Sequence, residues 1–127
     1  MKAGDIALSQ LQQADGRLKT RPVLVLIRMP PFSDHLVCAL SSKLQHECID
    51  FDEVIAAGDD DFPESGLKVS SLIRLGMVAT IPSSSMLGIL GRVSGERLNR
   101  LMSRLARHLM AEQGADGKTP EAPQPPH

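Results

Sequence analysis

Pro22 heads the run that most narrows what this chain can become. In Thr20-Arg21-Pro22-Val23-Leu24-Val25-Leu26, an unbroken apolar segment follows directly on a basic, turn-prone loop, Asp15-Gly16-Arg17-Leu18-Lys19. An apolar run of that length bounded by turn residues reads as a buried strand. Proline has no N–H to give a sheet ladder, so Pro22 belongs at the first residue of that strand or on an edge. Arg21 is thereby held where loop meets strand. Its five-donor fork, aimed outward from a rigid base, suits a phosphate. An arginine so placed equally fits a surface ion pair, and residue type alone leaves both readings open.

The rest of the chain reads as strands first and one helix last. Asp5–Leu11 and Pro22–Arg28 are the first two strands, and Met29-Pro30-Pro31-Phe32-Ser33-Asp34 is a connector, since adjacent prolines stop a central strand. His35–Ser41, apolar throughout its middle, is a third strand expected to be covered on both faces. Cys48–Val54 alternates, with Ile49, Phe51 and Glu53 on one side, and reads as a fourth. Ala57–Gly66 reads as a solvated loop. Its Asp59-Asp60-Asp61 run lacks further ligands at calcium-loop spacing. Ser71–Leu75, Met77–Ile81 and Leu87–Val93 are short strands. Gly76, Gly88 and Gly91 within them imply the bulges and bends of a small curved barrel.

Ser94 is suited to cap a helix in which Leu98, Leu101, Met102, Leu105 and Leu109 form one stripe at about 100° per residue. Arg97, Arg100, Arg104 and Arg107 form a second stripe, read either as a docking face for RNA or an acidic partner or as a solvated face. The expected organisation is a domain over residues 1–112, its terminal helix covering 95–112. A disordered, proline-rich tail over 113–127 follows.

Composition excludes several functions. With 23% charged residues and a net charge of −1, the 127-residue chain is no polyelectrolyte, so any nucleic-acid contact must come from a local patch. Aromatic residues are 2%, too few for base-stacking platforms. No apolar run approaches the roughly 18–20 residues needed to cross a bilayer. No secretory signal is read and only Cys38 and Cys48 occur, so a cytoplasmic protein with reduced thiols is expected. His35, Cys38, His46 and Cys48 are ligand types. Their spacing puts them in strands rather than on the turns zinc sites prefer, so no metal and no other cofactor is expected. Cys38 reads as a small core residue.

The chemistry concentrates at two strand ends. Arg21 begins one strand and Ser41-Ser42-Lys43 ends the next, and antiparallel pairing would bring them together. Arginine, hydroxyls and a second cation can hold and polarise a phosphodiester and neutralise its pentacoordinate transition state, with an RNA 2′-hydroxyl as internal nucleophile. That chemistry requires no metal.

Gly4-Asp5-Ile6, the basic loop into Arg21-Pro22-Val23-Leu24-Val25, and Ala39-Leu40-Ser41-Ser42-Lys43 resemble the MazF/PemK family of type II toxin–antitoxin ribonucleases. So do Gly66-Leu67-Lys68 leading to Ser70-Ser71-Leu72-Ile73-Arg74-Leu75, and Leu90-Gly91-Arg92-Val93-Ser94 entering the helix. The resemblance covers about residues 2–110. It implies a mainly β fold with a C-terminal helix, an SH3-like small barrel of the CcdB/MazF kind. It further implies a homodimer, cleavage of single-stranded RNA, and a cognate antitoxin whose acidic tail fills the RNA groove. Carried over by position, Arg21 matches the catalytic arginine and Ser41 the hydroxyl residue that pairs with it. Arg17, Lys19, Thr20, Ser42, Lys43 and Thr80 are the RNA- and phosphate-binding candidates. One departure stands out: where many members have Arg-Thr-x-Asp, this chain has Ala79-Thr80-Ile81-Pro82. Arg74, Lys43 and Arg92 are the cations that could replace the missing contact. The competing reading is a catalytically impaired barrel that only binds an antitoxin-like partner or nucleic acid.

Overall fold

Six antiparallel strands and a long terminal helix organise the chain in a computed structural model that describes residues 1–12 and 14–116. The strands are β1 (Asp5–Gln12), β2 (Leu18–Met29), β3 (Asp34–Ser41), β4 (Glu53–Ile55), β5 (Ser71–Ile81) and β6 (Met86–Arg92). Helix α1 is one turn over Phe62–Ser65, and α2 spans Gly95–Asp116. The sheet order is β4-β5-β3-β2-β1-β6. The fold is therefore mainly β with a C-terminal helix, as expected.

Side-chain alternation along β2 feeds two cores. Leu24 and Leu26 join Ile6, Cys38, Leu40, Ile73 and Leu75 under α2, whose Leu98, Leu101, Met102 and Leu105 close that face. Leu101 is fully buried and contributes on the order of 1.5–3 kcal/mol. Val23 and Val25 join Ala7, Val37 and Ile81 on the opposite face, with Met1 and Met86 packed against them. Both faces of β3 are thus covered from within the chain. Burial, with a smaller push from the Asp52 carboxylate, raises the Cys38 thiol to about 12.

Helix α1 packs against part of the edge strand β6. A side chain on Gly91 would run into the backbone of Glu64 and Ser65, and Gly66, in the left-handed region at φ 74°, lies against Leu90. Glycine is required at both places.

Several expectations are corrected. β2 begins at Leu18 rather than Pro22, because residues 18–22 pair with β1. Residues 48–52 form a turn. Asp50 sits at φ 68°, and the Asp52 carboxylate accepts the N–H of Cys48 and, at 2.9 Å, that of Leu75 on β5. Only Glu53–Ile55 remains as β4. Ser71–Ile81 is one strand with a bulge: Ala39 pairs with Arg74 but the preceding Cys38 pairs with Val78, which loops out Leu75, Gly76 and Met77. The register of β6 also shifts, at Leu87 and Leu90, so the glycines do mark bulges. The terminal helix runs past residue 112 to Asp116, and Leu109 is exposed. Of the expected tail, residues 117–127 lie outside the described residues.

Arg97, of the arginine stripe, meets Asp59 and Asp61 of the aspartate run, and Arg100 and Arg104 meet Glu53, while Arg107 and Asp60 are exposed. Ser94 accepts the N–H of Arg97 as a cap, and its own N–H reaches Asp61. The buried Arg97 guanidinium makes five hydrogen bonds, to Asp61 twice and to Glu53, Asp59 and the Val54 carbonyl. Arg100 and Arg104 also bind Glu53. The hydrogen bond from Arg97 is the main cause that lowers the Asp61 carboxyl from 3.8 to about 2, against the opposing effect of burial. Burial alone would raise Glu53, but bonding to Arg100 and the charges of all three arginines lower it.

Arg97→Ala strands the buried Asp61 carboxylate, while Glu53 keeps Arg100 and Arg104, and urea unfolding should show a loss of about 3–5 kcal/mol. Arg100→Ala removes a half-exposed partner and should cost at most about 1 kcal/mol. Equal losses would refute the hub. Because folding lowers Asp61, its contribution is complete above the ordinary value of 3.8 and disappears as pH falls to about 2. Stability should therefore fall by about 2–3 kcal/mol through that window from this group. The corresponding limb should flatten in Asp61→Asn.

Candidate functional site

The β2–β3 ladder ends at Val23↔Ala39. The next residue of β2 is Pro22, which has no N–H, so the two strands part there. Continued by the same register, the pairing would set Pro22 level with Leu40 and Arg21 level with Ser41. The opening between the strands is a hollow of about 330 Å³ lined by Arg21, Pro22, Ser41, Lys43, His46 and Arg74, among others. A second hollow of about 240 Å³ shares Arg21, Pro22, Leu40, Ser41 and Lys43 with it and adds Ser42 and Lys68. Among the described residues, no carboxylate lines either hollow.

Each group is held by its local backbone. Arg21 faces Ser9 across β1 and is exposed. Ser41 Oγ accepts the N–H of Lys43 at 3.0 Å, which leaves its own hydrogen free to donate. Arg74 pairs with Ala39 on the cleft face just before the bulge in β5, and Met77 of that bulge lies at its margin. Arg21, Lys43, Lys68 and Arg74 make no ion pair among the described residues, whereas Arg97, Arg100 and Arg104 are fully engaged. Four uncompensated cations and a free hydroxyl around one opening can bind and polarise a phosphodiester. The Ser9 hydroxyl, cross-strand from Arg21, is buried without a hydrogen-bond partner among the described residues.

The structure brings together Arg21, Ser41, Ser42 and Lys43 as the sequence order suggested. It does not bring the other candidates to them. Thr80 pairs with Leu36, five residues from Ser41 on β3 and so roughly 17 Å along the strand. Arg17 lies on the β1–β2 turn, 3.8 Å from Asp15. Lys19 and Thr20 stand on the part of β2 paired only with β1, and Thr20 points to the face opposite Arg21. Among the replacement cations, Arg92 is paired with Asp5 at 3.1 Å and lines neither hollow, so Arg74 and Lys43 remain. Lys68 and His46 carried no site role in the sequence reading. The basic Gly66-Leu67-Lys68 turn is the signal for the first, and the second stands out in sequence only as a metal-ligand type.

No curated protein is matched by sequence. Among solved structures, the chain is similar to the Mycobacterium tuberculosis toxin MazF-mt6, with a TM-score of 0.63 over 84% of this chain and 96% of that one. The identity is 18%, so this likeness speaks for the fold. Residues 2–109 match the model of a family described as PemK-like, MazF-like toxin of type II toxin-antitoxin system. On that match, which spans the barrel and most of its helix, the chain belongs to the PemK/MazF toxin family.

Proposed function

We propose that this chain is a toxin acting in the cytoplasm as a metal-independent endoribonuclease on single-stranded RNA. The observation that carries the reading is the parting of β2 and β3 at Pro22, which sets Arg21 and Ser41 on either side of one acid-free cationic opening. Arg21 neutralises charge on the scissile phosphate as it becomes pentacoordinate, and the Ser41 hydroxyl donates to a non-bridging oxygen. Arg74 takes the place of the contact missing near Ala79. Lys43, Ser42 and Lys68 bind the adjoining phosphates. An antitoxin with an acidic segment would compete for the same cations.

Incubation with long single-stranded RNA in EDTA tests this. Wild type should make discrete cuts with 5′-hydroxyl ends, and Arg21→Ala should make none while keeping its melting temperature. Arg74→Ala should weaken RNA binding and reduce the slope of log affinity against log salt by about 0.7, the share of one phosphate contact on a single strand. Folded wild type that retains RNA without cutting it would support the binding-only barrel. Cutting that survives Arg21→Ala would refute the assignment of roles.

We further propose a homodimer. Its ground is edge strand β6, where Leu87 and Ile89 are exposed. An apolar sheet edge invites pairing with a second chain. Light scattering at micromolar concentration should give twice the chain mass, falling towards one chain in Ile89→Lys. A wild-type monomer would count against it.

A further inference from the structure

We infer that His46 is the group that takes the proton from the attacking 2′-hydroxyl, an inference that rests on the nuclease reading above. Attack by that hydroxyl needs an acceptor for its proton. Around the larger hollow, Arg21, Lys43 and Arg74 are residue types with donors only, and Ser41 serves as a donor. Pro22, Ala39, Leu40 and Met77 have no side chain that accepts a proton. Histidine is the one residue type in the lining that gains and loses a proton near neutrality.

The backbone holds His46 close to the reacting groups. Ser41 Oγ accepts the N–H of Lys43, and Ser42 O accepts that of Leu44. Lys43 O accepts the N–H of His46, and Leu44 O that of Glu47, both at 3.1 Å. These bonds wind residues 44–46 into one 3₁₀ turn immediately beyond Ser41, packed against β5. The charged groups around the imidazole are Arg21 from β2, Arg74 from β5, and Lys43 and Glu47 from its own segment. Glu47 lines the separate hollow beside Arg97, not this one. The imidazole is exposed and engaged in no side-chain hydrogen bond among the described residues, so it is free to meet a substrate.

The step balances without another reagent. A neutral imidazole nitrogen of His46 takes the 2′-hydroxyl proton as the 2′ oxygen bonds to phosphorus. The bond from phosphorus to the 5′ oxygen then breaks, and that oxygen takes a proton from water through the open side of the hollow. The products are a 2′,3′-cyclic phosphate and a 5′-hydroxyl, and His46 returns its proton to solvent.

Single-turnover cleavage of a short RNA from about pH 5 to about pH 9 tests this, using wild type, Arg21→Ala, His46→Ala and His46→Gln. Wild type should show a limb falling towards acid pH. Both His46 variants should lose that limb and about a hundredfold or more in rate at neutral pH. Their RNA affinity and melting temperature should change little, and added imidazole should restore part of the rate to His46→Ala. A purely structural role would produce neither the lost limb nor the rescue. Wild-type rate and pH profile in His46→Gln would overturn the inference and leave the nuclease reading intact. A loss confined to RNA affinity would also overturn it. Absence of cutting by wild type would remove both.

Discussion

The buried guanidinium of Arg97 is what the arrangement of this barrel depends on. An arginine side chain has five N–H donors, and here all five find acceptors: Nε and one Nη2 hydrogen on Asp61, the other on Asp59, and Nη1 on Glu53 and the Val54 carbonyl. Burying such a cation is tolerable only when each donor is met. The acceptors come from β4 and from the segment entering α1, so one side chain of α2 ties the helix to both. Asp61 also holds the N–H of Ser94, which fixes where α2 starts. With residue 61 held, α1 is seated where Gly66 and Gly91 let it meet β6.

None of this network could be read from local pattern. Helical spacing correctly separated the apolar stripe from the arginine stripe, because both follow from period alone. Whether a charged stripe meets water or carboxylates depends on segments some forty residues away in the chain, and periodicity carries no such information. The same limit explains residues 48–52. The alternation of Ile49 and Phe51 suggested a strand, but Asp52 has closer calls on its carboxylate, one within its own turn and one at the bulge of β5. Strands β1 to β3 were legible because their runs are long and the Pro30-Pro31 connector between β2 and β3 is unambiguous.

The site was partly legible for a related reason. Arg21 and the segment Ser41-Ser42-Lys43 lie at the ends of consecutive strands, so antiparallel pairing sufficed to join them. Arg74 is brought in by the pairing of β3 with β5, which lies more than thirty residues on in the chain, and that pairing is not visible in composition. Thr80 failed because of strand direction. Because β5 starts opposite Ser41 and runs antiparallel to β3, each further residue lies farther from Ser41, and a match in residue type could not reveal the distance. Pro22 matters more than the strand start it was read as. By withholding one N–H it ends a ladder in the middle of a strand, and the hollow opens where that ladder would have continued.

These two features together explain how a chain of nearly balanced charge can present an anion-binding surface. Fourteen Lys and Arg stand against fifteen Asp and Glu, so the mean field of the molecule is close to neutral. The charges are not distributed evenly. Glu53, Asp59 and Asp61 are engaged by Arg97, Arg100 and Arg104. Asp5 is engaged by Arg92. Arg21, Lys43, Lys68 and Arg74 are left around the opening at Pro22, with no carboxylate lining it to compete for a phosphate. Neutrality overall limits non-specific attraction to polyanions, while the local excess retains short-range attraction within about a Debye length, roughly 8–10 Å at ordinary ionic strength. The ion-pair hub that fastens the helix therefore also keeps those carboxylates away from the cleft.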